Sequence, residues 1–192
     1  IENATSVSVR AQYESNPYPK WLSIDRDANP QTLGERLGAR YPTLSPADLE
    51  LKAPRILVAG CGTGRHAITT AARYKDASVL AIDISVASLA YAARQARAFG
   101  QDNIAFRQAD ILGLDKLDED FDLIECSGVL HHMADPMAGW RVLRGLAKAR
   151  GLMRIGLYST RARKRWENLR GPVPSGLNDA GTAEFLRTRR RA

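Results

Sequence analysis

The sequence predicts an α/β fold, a parallel sheet of about five strands covered by helices on both faces, and three observations carry that expectation. Short apolar runs alternate with helical patterns along the middle of the chain. These runs end at Gly60, Asp83, just before Asp110, and at Cys126. The segments between them are long enough for crossover connections.

Residues 1–53 form a polar approach punctuated by Pro17, Pro19, Pro30, Pro42 and Pro46, with a short helical pattern at Thr32–Arg40. They are expected to be a cap or lid rather than a separate domain. Within them, Tyr13, Tyr18 and Trp21 flank two prolines whose fixed φ angles hold the rings in a set arrangement. Those rings either pack against the core or cover a bound ligand. The core is expected over 54–158. Ile56, Leu57 and Val58 read as a strand buried on both faces, and Gly60, Gly62 and Gly64 open the turn into a helix over Arg65–Tyr74. Ser78–Asp83 is a second strand, and Ser85 caps an alanine-rich helix that Gly100 stops. Ile104–Gln108 is a third strand, Asp115–Asp120 a loop, and Phe121–Cys126 a fourth strand. Asp135-Pro136 opens a helix to about Ala149, Gly151 ends it, and Leu152–Tyr158 is a fifth strand.

The chain has 192 residues, 44% hydrophobic, enough for one core but cramped for two. Most of the formal charge of +7 sits in 159–192, where nine basic residues from Arg161 to Arg191 face Glu167, Asp179 and Glu184. This tail reads either as a solvated helix or as a surface for nucleic acid or anionic lipid. Cys61 and Cys126 have neither metal-site nor disulfide spacing. No stretch has the build of a signal peptide, and no apolar run approaches the ~18 residues that span a bilayer. A cytoplasmic protein is expected, and because the chain begins at Ile1 it is open to being a fragment of something longer.

Ligands of open α/β sheets bind beyond the carboxyl ends of the strands, where Gly60, Asp83, Asp110 and Cys126 converge. The helix opening at Arg65 turns its positive end into the glycine turn and favours an anionic group there. Asp83 stands 23 residues after Gly60, so its carboxylate either accepts bonds from a ribose diol or caps the next helix. Gly62-Thr63-Gly64-Arg65-His66-Ala67 also matches a permissive dinucleotide fingerprint, so a nicotinamide cofactor is the first rival ligand. Gly60 directly after the strand makes a wider turn than pyrophosphate binding uses, and a second acid at Asp110 has no required role there.

Through Val58-Ala59-Gly60-Cys61-Gly62-Thr63-Gly64, Ala81-Ile82-Asp83-Ile84-Ser85, Gln108-Ala109-Asp110-Ile111 and Gly128-Val129-Leu130-His131-His132, the chain resembles the class I S-adenosylmethionine-dependent methyltransferases. Asn16-Pro17-Tyr18-Pro19-Lys20-Trp21 is similar to the cap of a bacterial subgroup that occurs fused to tetratricopeptide repeats. The resemblance implies a Rossmann-like sheet of order 3-2-1-4-5 and S-adenosyl-L-methionine as cofactor. Gly60, Cys61, Gly62, Thr63 and Gly64 would border its methionine and ribose parts. Asp83 and Ile84 would lie at the ribose, Asp110 at the adenine amino group, Ile111 against the adenine ring, and carbonyls near Gly60 and Cys126 at the methionine ammonium. Val58 departs from the family, which often carries an acid there. The family's last two strands, an antiparallel hairpin, are missing from the pattern after Tyr158. An uncovered fifth strand would call for the tail, a partner chain or a fused repeat domain.

Methyl transfer is an in-line displacement that needs chiefly alignment. His131 and His132 are candidates to take a proton from the acceptor, the alternative being that they bond only to loop backbone. The residues after the fourth strand lack the motifs of amino-methylating nucleic-acid enzymes, so a small-molecule acceptor is expected, with a protein side chain next. An NAD(P)-binding oxidoreductase and a non-catalytic cofactor-binding module stay as alternatives. No metal site is expected.

Overall fold

A single parallel sheet carries the chain's alternation of strand and helix into three dimensions. The computed structural model describes residues 4–24, 29–45, 50–159 and 161. Its elements in order are α1 (Ala4–Ser15), α2 (Leu33–Arg40), β1 (Arg55–Ala59), α3 (Arg65–Arg73), β2 (Ser78–Asp83), α4 (Val86–Ala98), β3 (Ile104–Gln108), β4 (Phe121–Ser127), α5 (Pro136–Gly145) and β5 (Ala147–Gly156). Short 3₁₀ turns occupy Ile111–Lys116 and Leu130–His132. The sheet order is β3-β2-β1-β4-β5, and every pairing is parallel. Apolar run lengths, rather than alternation, mark the central strands because both faces are covered.

Side chains alternate across the sheet, so β1 divides its residues between two cores. Ile56 and Val58 face Leu37 of α2, Ala67 and Ala71 of α3, and Leu89 of α4. Leu57 and Ala59 face Ile111 and Leu114 of the first 3₁₀ turn and Leu143 of α5. Helix α2 starts with a complete capping box, in which Thr32 Oγ1 accepts from Glu35 N at 3.1 Å and Glu35 accepts from Thr32 N at 2.8 Å. Ser85 caps α4 by accepting from Ser88 N at 3.1 Å, as its place in the sequence predicts.

The C-terminal boundaries differ from those expected. Helix α5 ends at Gly145 rather than Ala149, and β5 runs over Ala147–Gly156 rather than Leu152–Tyr158. Ala147 already pairs with Phe121, and the register then jumps so that Leu152 meets Leu123. The extra residues bulge out of the ladder. Gly151 makes this geometry workable, because a Cβ there would stand 2.8 Å from the Phe121 carbonyl oxygen. The expected loop at Asp115–Asp120 begins instead inside the first 3₁₀ turn. The basic tail helix and any strand beyond β5 lie outside the described residues.

Candidate active site

The glycine turn is held from below by the neighbouring strand. Gly60 N and Cys61 N both donate to the Ile82 carbonyl, at 2.9 and 2.8 Å, while Gly64 N donates to Cys61 O at 2.9 Å. Gly60 has φ +71°, and a Cβ there would meet Val129 Cγ2 at 2.3 Å. Left-handed backbone and close approach therefore both require glycine. The same contact packs the loop after β4, which carries His131 and His132, onto the glycine turn.

Asp83 crosses the gap between β2 and this turn. Its Oδ2 accepts from Gly62 N at 2.7 Å, and its Oδ1 accepts from Ser85 N at 3.0 Å. Burial pushes its pKa up, against the lowering effect of the N–H bonds from Ser85, Gly62 and Ile84. Ser85 supplies the α4 cap, and each Asp83 oxygen, with one N–H bond, keeps a lone pair for a further donor. One residue past β3, Ala109 N donates to Asp83 O at 3.0 Å, which brings Asp110 beside it. Asp110 Oδ1 accepts from Leu112 N at 3.0 Å, but its Oδ2 is buried without a hydrogen-bond partner among the described residues. A buried carboxylate oxygen without a donor is costly, and an adenine amino group is a donor of the right kind. These two acids and the turn fit a nucleoside cofactor.

Other predicted residues are placed differently from one another. Ile84 accepts from Gln108 Nε2 through its carbonyl at 3.1 Å, and Ile111 is buried in the core below the strand ends. Cys61 and Cys126 are both buried, and burial raises the two thiols, that of Cys126 to about 12, so neither is poised as a thiolate. His131 is half-buried and His132 exposed, with ring centroids 4.3 Å apart.

The cap resolves into an anchor and an open side. Trp21 is 7% exposed, stacked on Phe99 and edge-on to Tyr91, and its Nε1 donates to Thr63 O at 3.0 Å. Thr63 Oγ1 donates to Pro19 O at 2.5 Å. Trp21 is thus a packing residue that grips the glycine turn. Tyr18, by contrast, is 70% exposed, and its carbonyl lies over Gly62. Tyr13 is half-buried in α1. Beside it, Glu14 accepts from Val86 N at 2.8 Å and Ala87 N at 2.9 Å, so α1 supplies a second cap to α4.

Glu125 is a further candidate that no motif in the sequence marks. It lies on β4 in register with Val58 and is 1% exposed. Its carboxylate accepts from Thr70 Oγ1 at 2.6 Å and Arg154 Nη1 at 3.2 Å. His66 Nε2 stands 3.0 Å from the carboxylate, off the hydrogen-bond axis. Burial works to raise the Glu125 pKa, but His66, Thr70 and Arg154 together hold it at about 2. The acid missing at Val58 is therefore matched by one on the adjacent strand. An acid interrupting Leu123-Ile124-Glu125-Cys126 was the available signal. Among the described residues, no group of His, Cys, Asp and Glu is arranged to hold a metal.

A parallel sheet of this order, with a glycine turn and acids on the two neighbouring strand tips, defines a Rossmann-like α/β domain. The chain belongs to the methyltransferase domain family, whose profile matches residues 56–151. It is 32% identical over 160 residues to an uncharacterized protein of Synechococcus sp., covering 83% of this chain and 38% of that protein. The chain thus spans well under half the length of that relative. Among solved structures, one of the enzyme that converts a disulfide bond into a thioacetal group during echinomycin biosynthesis is 24% identical, with TM-score 0.59, covering 91% of this chain and 71% of that one. Magnesium protoporphyrin IX methyltransferase from Synechocystis, with bound SAM, is 23% identical, with TM-score 0.54, covering 77% and 75%. These two likenesses concern the fold.

Proposed function

We propose that this domain transfers the methyl group of S-adenosylmethionine to a nucleophilic atom of a small molecule, with a protein side chain as the second acceptor class. The buried, donor-less Asp110 Oδ2 beside Asp83 is the observation that most favours an adenosine-bearing ligand. When bound, S-adenosylmethionine supplies an electrophilic sulfonium methyl group. Asp83 would accept from the ribose hydroxyls, Asp110 from the adenine amino group, and backbone carbonyls near Gly60 and Cys126 would receive the ammonium. Tyr18, on the open side of the cap, faces the acceptor, and His131 or His132 removes its proton where the acceptor is a hydroxyl or phenol. The gain comes chiefly from holding the nucleophile aligned, worth up to ~7–11 kcal/mol in favourable cases.

Residues 1–53 act as the cap, 54–158 as the cofactor core and 159–192 as a basic tail. No helix among the described residues is long and apolar enough to cross a membrane. We place the domain in the cytoplasm, with the outer edge of β5 covered by a partner chain or a further domain of a longer protein.

Calorimetric titration with S-adenosylhomocysteine and with NAD tests the cofactor reading. Micromolar binding of the first alone, weakened by about tenfold or more in Asp83→Ala and Asp110→Asn, is expected. Binding of NAD alone would transfer the argument to an oxidoreductase. Replacing His131 and His132 with Gln should leave S-adenosylhomocysteine affinity within about twofold while lowering turnover, since proton transfer contributes ~10²–10⁴-fold.

A further inference from the structure

We infer that Glu125 is a positioning residue for the amino-acid end of the cofactor, acting through His66 and Thr70 rather than by touching the ligand. The inference rests on the S-adenosylmethionine reading above. Glu125 lies opposite Val58, two residues before Gly60, and directly precedes Cys126. Of its three partners, His66 and Thr70 stand four residues apart on α3, the helix that the glycine turn opens, and Arg154 is its register neighbour on β5. One carboxylate therefore ties the first turns of α3 to the tip of β4. These are the two walls on either side of Gly60.

A fully buried, paired carboxylate gains little over an apolar side chain packed in its place, because desolvation offsets the attraction. Its larger effect is on geometry, since two hydrogen-bond donors, Thr70 and Arg154, and the close contact with His66 fix one position from two other elements. Neutralising it leaves the Arg154 guanidinium facing an uncharged group, weakens the hold on His66 and Thr70, and frees the α3 entry to shift. A shift there changes the space for a carboxylate and an ammonium between the glycine turn and the Cys126 carbonyl. Asp83 and Asp110 hold the nucleoside end from β2 and β3, across β1, and share no partner with Glu125. The two ends of the cofactor are thus governed by separate groups. This separation predicts a selective loss.

The test titrates the full chain with S-adenosylhomocysteine and with 5′-methylthioadenosine, which keeps the nucleoside and lacks the amino-acid end. Glu125→Gln preserves shape and removes the charge. It should weaken S-adenosylhomocysteine by about tenfold and methylthioadenosine by less than about twofold. His66→Gln should move the same way, and the double variant should lose no more than Glu125→Gln alone, because the two act as one unit. If Glu125→Gln fails to fold, Glu125→Asp keeps the charge but withdraws it by one methylene and should show the same selectivity. Equal losses for both ligands in a folded variant would overturn the inference. Binding of neither ligand by the parent chain would bring down the cofactor reading, and this inference with it.

Discussion

Removing the Trp21 ring in two stages separates what anchors the cap. Trp21→Phe keeps an aromatic ring between Phe99 and Tyr91 but deletes the Nε1 donor, leaving the Thr63 carbonyl unpaired in a buried place. An unmatched buried acceptor costs ~1–3 kcal/mol. Trp21→Ala removes the ring as well, and truncating a large buried aromatic costs ~3–5 kcal/mol. The difference of roughly 2 kcal/mol is the packing of the ring itself. Urea unfolding followed by circular dichroism measures both variants against the parent. Fluorescence is unsuitable, because it would lose one of the three tryptophans being read. With total stability of such domains at ~5–15 kcal/mol, either loss is visible as a shift in midpoint. A loss below about 1 kcal/mol for Trp21→Ala would refute the assignment of Trp21 as the anchor.

Gly60→Ala should abolish cofactor binding and destabilise the fold by several kcal/mol, since left-handed strain of ~1–2 kcal/mol adds to a 2.3 Å clash with Val129; thermal melting and titration check both. Acid should unfold the chain partly through Glu125. Its folded pKa of about 2 lies below the ordinary 4.5, so its stabilisation is complete above 4.5 and disappears as pH falls through about 2. The amount is on the order of 3 kcal/mol, and in Glu125→Gln the dependence of stability on pH between those limits should flatten.

How legible the molecule is from its sequence depends on whether a feature is local. The glycine turn, β2, β3 and the cap at Ser85 follow from adjacent residues, and their bounds agree with the structure almost residue for residue. Asp83 and Asp110 are legible because a parallel sheet brings every strand tip to one side. Glu125 is not, because its meaning depends on the register of β4 against β1 and on two side chains from α3. Glu14 escapes for the same reason, since its partners at Val86 and Ala87 lie on another helix. The start of β5 is not legible because Lys148-Ala149-Arg150 has the composition of a helix end, whereas pairing of Ala147 with Phe121 decides its state.

The grip of the cap on the strand ends also fixes an order of events. Pro19 and Trp21 hold Thr63, Glu14 reaches Val86 across 72 residues, and the Trp21 carbonyl accepts from Gln95 across 74. On the ribosome, the cap emerges well before these partners exist. Closing such a long loop is entropically unfavourable until β1, β2 and the helices between them stand ready to receive it. The segment synthesised before its partners is therefore the last to dock. By the same reasoning it is the first to open in the native protein, so amide exchange at the glycine turn should follow the cap's own fluctuation rather than global unfolding.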